Sequence, residues 1–129
     1  MTDRDRLIVE LRPILVKIKK DSSSSELEIF QNQSIRPILK LQHPLIIKIF
    51  QAYVIQHKVE FNALELSQKL EIIHTSFSKD VKLRSHLNGL VLGHLTEYEF
   101  DFYTAHASQL NKRIISMIKQ RIIDSIQII

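Results

Sequence analysis

The chain has 129 residues, so residues 1–129 are expected to form one domain. Its composition, with 44% hydrophobic and 25% charged residues, is typical of a globular protein. The absence of Cys excludes disulfides, thiol catalysis and thiolate metal sites, while two Gly and three Pro favour long helices over a sheet. The formal net charge of +4 is modestly basic. The sequence shows no signal-peptide pattern and no apolar run near the roughly 20 residues of a membrane span, so we expect a soluble cytoplasmic protein.

The first predicted helix covers residues 3–19, where apolar side chains recur at the i, i+3/i+4, i+7 spacing of a buried helix face. Thr2 or Asp3 can cap its start. Pro13 lies inside this pattern, so we expect either a kink at that position or a helix that begins only near Arg12.

A polar hinge is predicted at residues 21–25, and Ser25 then opens a Ser-x-x-Glu capping box. The short helix that begins there is expected to end near Gln33. Ser34 can cap a second helix, which the apolar spacing predicts over about residues 35–57 as the central element of the fold.

Polar residues at the start of this central helix, which Pro44 is expected to kink, form a candidate binding site. Arg36, Lys40 and His43 fall on one face at i, i+4 and i+7, and Asn32 comes from the preceding turn. Because free backbone N–H groups at a helix start attract anions, this cluster could bind a phosphate, a carboxylate or a nucleic-acid backbone. The alternative is that these side chains satisfy the backbone at a helix break, with Arg36 paired to an upstream glutamate.

Three further helices are predicted after the central one. The next begins near Asn62, and another is capped by Ser78 or Asp80. A second capping box, opened by Thr96, begins a long C-terminal helix over about residues 97–127. Because no stretch keeps the two-residue period of a strand for long, we expect an all-α fold, a single bundle of five or six helices.

The last turns of the C-terminal helix carry more apolar surface than a five-helix monomer is expected to cover. Exposed apolar patches of that kind usually mark an interface. We therefore predict a homodimer that forms through this helix. The residues assigned to its interface are Ile114, Met117, Ile118, Ile122 and Ile126.

The sequence motifs of the common enzyme classes are missing. No Gly-rich phosphate loop, Gly-x-Ser-x-Gly elbow or His-Glu-x-x-His zinc helix is present, which excludes a nucleotide-binding α/β enzyme. A di-iron bundle needs a Glu-x-x-His pair on two helices, and Glu71 with His74 is the one such pair in the chain. We therefore expect no catalytic residue, no metal ligand and no cofactor, and we assign the histidines to the surface or to hydrogen bonds in the core.

Three short segments carry a resemblance to a known family. The run FQNQSIRPILKLQ at 30–42, followed by NKRI at 111–114 and QRI at 120–122, resembles a family of short, uncharacterised bacterial proteins, some of which carry the automatic label "glyoxalase". The resemblance covers most of the chain and implies a bacterial cytosolic protein without indicating its role. Glyoxalase I proteins are built from βαβββ modules with His and Glu metal ligands on strands, so the label transfers no catalytic residue to a chain without predicted strands.

The preferred functional prediction is a non-enzymatic helical protein that self-associates and acts through protein–protein interaction with an unknown partner. The alternative is a protein that binds nucleic acid or an anionic ligand through Arg36, Lys40 and the basic stretch at residues 112–121. The second alternative is a metal-dependent enzyme of the helical-bundle type.

Overall fold

A computed structural model describes residues 1–15 and 25–129. In this part of the chain helices pack into a bundle and no strand is present, which confirms the predicted all-α fold of five or six helices. The helices are α1 (Asp3–Leu11), α2 (Glu26–Gln56), α3 (Leu66–Lys79), α4 (Val81–Leu92), α5 (Glu97–Ala105) and α6 (Ala107–Asp124), with 3-10 turns at Phe61–Ala63 and Ile126–Ile128.

Helix α1 is shorter than predicted because Pro13 follows its end. The helix stops at Leu11, and Arg12 takes an extended conformation (φ −71°, ψ 133°), which the residue before a proline favours. A kinked helix through Pro13 and a helix beginning near Arg12 are both wrong for the residues described. The rest of the predicted helix and most of the polar hinge lie outside the described residues. The predicted cap is confirmed, since the Thr2 hydroxyl accepts a hydrogen bond from the Asp5 backbone N–H at 3.1 Å.

Helix α2 begins at Glu26 rather than near residue 35. The Ser25 hydroxyl caps it, as predicted, by accepting a hydrogen bond from the Glu28 backbone N–H at 3.2 Å. The predicted break before Ser34 is wrong, because the two helices expected on either side of it are one continuous helix.

The chain passes this position through a single π-helical turn, Gln31–Ile35, in which the Arg36 backbone N–H donates to the carbonyl five residues earlier. Pro37 gives a reason for the wider turn, since a proline has no N–H for the regular bond and its ring crowds the preceding turn. Pro44 also lies inside the helix, which continues through it. Ser34 is therefore not a cap, and its buried side chain is free to make a tertiary contact.

The predicted C-terminal helix over residues 97–127 is wrong as a single element. The backbone leaves helical geometry at His106 (φ −131°, ψ 26°), which divides α5 from α6. Across this break the Tyr103 hydroxyl donates to Asn111 Oδ1 at 2.6 Å and holds the two helices at their junction. The capping box that Thr96 opens is confirmed.

The middle helices follow the predicted order. A 3-10 turn occupies Phe61–Ala63, so α3 begins at Leu66 rather than near Asn62. Asp80, one of the two predicted caps, begins α4, and its carboxylate accepts a hydrogen bond from the Leu83 backbone N–H at 3.1 Å.

Helices α2 and α6 form the centre of the bundle and run parallel. Hydrogen bonds join Gln31 to Arg113 and His43 to Arg121, so residue numbers rise together along both helices. Helices α3, α4 and α5 also pack against α6, which makes it the inner helix of the fold. The fully buried large side chains are Ile35, Ile38, Leu39, Ile46, Phe50, Ile73, Leu87, Leu95, Leu110, Ile114, Ile118 and Ile122.

Helix α2 also meets the length and composition of a membrane span, which was not expected from the sequence. It is the one such helix in the described part of the chain. The core helix of a soluble bundle passes the same test, and Ile38, Leu39 and Phe50 of α2 are fully buried against other helices of the same chain. The buried part of the apolar side of α2 is therefore explained by the core, while Leu45 and Ile55 of the same helix are exposed.

The apolar side chains assigned to a dimer interface lie mostly in this core. Ile114, Ile118 and Ile122 have 0% exposure, Ile126 has 7%, and Met117 is half-buried. The prediction assumed that a monomer could not cover them, and this assumption is wrong because other helices of the same chain cover the side of α6 on which they lie. A homodimer stays a prediction, but these isoleucines no longer support it.

Ile118→Ala should lower the free energy of unfolding by about 2–5 kcal/mol, because it opens a cavity in the centre of the bundle. Ile128→Ala is the matched control, since Ile128 is 69% exposed and its loss should have little effect. Urea denaturation over a range of protein concentrations measures both. If the midpoint rose with concentration and Ile118→Ala removed that dependence, the side chain would belong to an interface instead.

Candidate functional site

One ion pair of the described residues has both side chains largely buried, and it joins Arg12 to Glu99 (11% and 13% exposed). Two Arg12 nitrogens contact the Glu99 carboxylate at 2.6 and 2.8 Å, and one also donates to the His94 carbonyl at 2.8 Å. Burial alone would raise the pKa of this carboxyl, but hydrogen bonds from Arg12, Ser34 and the Thr96 backbone hold it below its ordinary value. These bonds are all internal, so the pair fastens the segment after α1 onto α5.

A carboxylate from α1 occupies the start of α5. The Asp5 side chain is buried, and its oxygens accept from the Glu97 backbone N–H at 3.2 and 3.3 Å. Arg4 donates to the carbonyls of Gly93 and Leu95, each at 3.1 Å. Because the Asp5 carboxylate already occupies this positive helix end, the start of α5 does not need an anion from outside the protein.

The structure brings the predicted four-residue cluster together only in part. Arg36 Nε donates to Asn32 Oδ1 at 2.7 Å, so this arginine contacts Asn32 rather than an upstream glutamate. No helix starts at Ser34, and the backbone N–H groups expected to bind an anion lie inside α2. Lys40 is exposed and lies outside the cleft that Arg36 lines.

That cleft, the α2–α6 cleft, has a volume of about 610 Å³ and lies between the two central helices. Helix α2 contributes Arg36 and His43, two of the four predicted site residues. Helix α6 contributes Arg121, which belongs to the predicted basic stretch but could be placed beside Arg36 only by the fold. The other lining residues are Ser116, Met117, Gln120 and Asp124.

The contact with Arg121 selects one tautomer of the neutral His43 ring. Arg121 Nη1 lies 3.1 Å from His43 Nδ1, and because a guanidinium only donates, this nitrogen must accept. The ring proton is then on Nε2, which faces the Ser125 hydroxyl at 3.4 Å. Burial lowers the pKa of His43, and the positive charge of Arg121 lowers it further.

Two guanidinium groups of like charge line the cleft. Burial lowers the pKa of Arg121, the charge of Arg36 lowers it further, and Asp124 acts in the opposite sense. Within residues 1–15 and 25–129, neither arginine has a carboxylate at ion-pair distance. The charged form of Arg121 is therefore disfavoured in the cleft, and a bound anion would offset this effect.

Positive charge dominates on both helices that form the cleft. Residues 29–59 contain four Lys or Arg and no Asp or Glu, and residues 102–123 also contain four and none. Asp124 follows at the end of α6, and its Oδ1 accepts a hydrogen bond from Gln120 at 2.8 Å. An anion in the cleft would meet a positive potential with one carboxylate at its edge.

A larger cleft, of about 670 Å³, lies beside the end of α2. Its walls are mostly apolar, with Val54, Ile55 and Phe61 among the lining residues. Gln51, Lys58, Glu60 and Asn62 also line it, but its described lining residues include no pair of guanidinium groups like the one in the α2–α6 cleft.

The metal-binding alternative gains no further ligand from the fold. Glu71 and His74 lie on α3. In the part of the chain that the structure describes, no group of three or more His, Asp or Glu side chains could hold a metal ion. The α2–α6 cleft is therefore the site with the most developed chemistry among the described residues.

Comparison with known proteins adds no relative. No protein-family model, curated protein or solved structure matches the chain. The resemblance to a bacterial family stays a prediction, and the α2–α6 cleft is interpreted from its geometry and charge alone.

Arg12→Ala should lower the free energy of unfolding by about 3–5 kcal/mol, because it leaves the buried Glu99 carboxylate without its partner. Arg6→Ala is the matched control on the same segment, since its ion pair with Asp3 is exposed and should contribute little. Urea denaturation measures both variants, and equal losses would show that the Arg12 pair does not fasten this segment.

Replacing His43 should flatten the dependence of stability on pH. The pKa of His43 is lowered in the folded state, so the unfolded chain takes up a proton first and stability falls as pH drops below about 6.5. His43→Gln keeps an acceptor for Arg121 but cannot titrate, and it should lose less stability than the parent between about pH 7.5 and 5.5. His86→Gln, at an exposed position, is the control. Parallel pH profiles for the parent and His43→Gln would contradict this assignment.

Proposed function

We propose that the protein binds an anionic group of the phosphate or sulfate type in the α2–α6 cleft. The observation that carries this proposal is the convergence of Arg36 and Arg121 on one cleft without a carboxylate partner for either in the described residues. Unpaired guanidinium groups in a concave site are the usual partners of phosphate oxygens, because their planar forks donate two parallel hydrogen bonds.

Contacts within the protein position both arginines before a ligand arrives. Arg36 uses its Nε on Asn32, and within residues 1–15 and 25–129 neither of its Nη groups has a hydrogen-bond partner. Arg121 uses Nη1 on His43, and its other N–H groups have no partner among the same residues. A side chain held in this way loses less conformational entropy on binding, so preorganisation favours affinity.

His43 couples binding to protonation. An anion in the cleft favours the charged imidazolium, which raises the pKa of His43 from its lowered value in the free protein. A protonated ring can no longer accept from Arg121, so this contact is exchanged for one between Arg121 Nη1 and the ligand. Binding should therefore be accompanied by proton uptake and should tighten as pH falls.

A second candidate function is protein–protein interaction, including the expected homodimer. Its support is now the exposed apolar side chains of the N-terminal segment, where Leu7, Leu11 and Ile14 are 54%, 60% and 88% exposed. Such clusters often mark interfaces. A bacterial cytoplasmic setting accompanies both candidates, supported by the absence of Cys and by the family resemblance.

Sulfate titration followed by amide chemical shifts tests the anion site, because sulfate keeps its charge where phosphate titrates. Arg36→Gln and Arg121→Gln should each weaken sulfate binding by about tenfold or more, as expected for the removal of charge-assisted hydrogen bonds. Lys40→Gln removes the same charge from the same helix outside the cleft and should change affinity by less than about threefold.

The pH dependence provides a second readout from the same titration. The parent should bind sulfate more tightly at about pH 5.5 than at 7.5, and His43→Gln should lose this difference. Equal weakening by Lys40→Gln would show general attraction rather than a site, and a parent without shifts at the cleft residues would overturn the proposal.

A further inference from the structure

A second cationic cleft lies beside the first. This α4–α6 cleft, of about 410 Å³, is lined by Arg84 from α4 and by Lys112 and Lys119 from α6, and none of its described lining residues is acidic. Arg84 Nη1 donates to the Phe77 and Ser78 carbonyls at 2.8 and 3.0 Å, which fixes its guanidinium at the end of α3. The cleft therefore presents three positive charges, of which one is held in place.

Ser116 lines both clefts. The small Ser116 side chain therefore lies between the two clefts. Together the two clefts form one band across the outer face of α6. Lys112 and Arg121 mark its ends and lie nine residues apart, roughly 13 Å along the helix axis. Between them α6 has no acidic residue. The band is long enough for more than one anionic group.

We propose, building on the anion site described above, that the ligand is a nucleic acid whose sugar-phosphate backbone crosses α6. One phosphate occupies the α2–α6 cleft between Arg36 and Arg121. The strand then passes over Ser116, and a further phosphate meets Lys112 and Lys119 in the α4–α6 cleft. A backbone with one charge per nucleotide supplies the repeated anions that two adjoining cationic clefts need.

The surface of the band favours a nucleic-acid backbone over an acidic protein. In the described chain no large apolar side chain is exposed between residues 27 and 44 or between residues 102 and 124. A protein interface usually has an exposed apolar centre that excludes water, whereas the apolar side chains lining these clefts, Phe77, Ile115 and Met117, are buried or half-buried. It also lacks exposed aromatic rings for base stacking, so the contacts are to phosphates and carry no base preference.

Fluorescence anisotropy with a labelled DNA duplex of roughly two helical turns tests the proposal on the full chain. The two cleft variants are Arg36→Gln/Arg121→Gln and Lys112→Gln/Lys119→Gln. The control, Lys58→Gln/Lys69→Gln, makes the same change in net charge near the α2–α3 connection, away from both clefts. Thermal melts establish that each variant is folded before binding is compared.

Both cleft variants should bind the duplex at least about tenfold more weakly than the parent, and the control should change affinity by less than about threefold. A duplex of scrambled sequence should bind equally well. The Lys112→Gln/Lys119→Gln variant should also reduce the slope of log affinity against log salt by about 2, because each lysine removed leaves one phosphate with its counterion.

The sulfate titration separates failure of this inference from failure of the anion site. If Lys112→Gln/Lys119→Gln binds both sulfate and duplex as the parent does, the anion site stands and the path across α6 is wrong. If the control weakens duplex binding as much as the cleft variants, the attraction is general and the path is again wrong. If poly-L-glutamate of equal charge competes as well as DNA, the partner is an acidic protein rather than a nucleic acid.

Discussion

The burial of one apolar stripe on α6 is the constraint on which the rest of the structure depends. Ile114, Ile118 and Ile122 are fully covered because α2, α3 and α4 close over α6. Where α6 meets a covering helix, a groove lies between the curved surfaces of the two helices. Polar side chains at the edges of the apolar stripe line these grooves. The two cationic clefts are therefore the margins of the core, and a rigid helix pair fixes the position of each.

The π-helical turn in α2 directs neighbouring side chains towards different helices. An inserted residue changes the direction in which side chains on either side of it point, so residues of one turn can reach different helices. Here Gln31 contacts Arg113 of α6, Ser34 contacts Glu99 of α5, and Asn32 contacts Arg36 within α2. If two regular helices met at a break before Ser34, as the sequence suggested, these side chains would lie on helices with independent axes. They would then not make this set of contacts.

Local signals predicted much of the fold, because caps and apolar spacing are encoded within a few residues. Thr2, Ser25, Asp80 and Thr96 all cap helices as predicted. The bend at His106 was missed, since no proline or glycine marks it and its Tyr103–Asn111 bond joins two helices. The covered stripe of α6 was misread as an interface because spacing shows that a face is buried without showing which chain buries it.

The sequence could group cleft residues along one helix but could not group residues of different helices. Residues seven apart on a helix return to nearly the same direction, so Arg36 and His43 both line the cleft, whereas the four-residue step to Lys40 turns about 40° further and leaves it outside. Arg121 arrives from α6, and only packing brings it to His43. This convergence sets the charge of the exposed Arg36 against that of the half-buried Arg121, a local conflict in an otherwise consistent fold. Such conflicts are expected where a ligand completes the charge balance, because the core around them is stable enough to hold them in place.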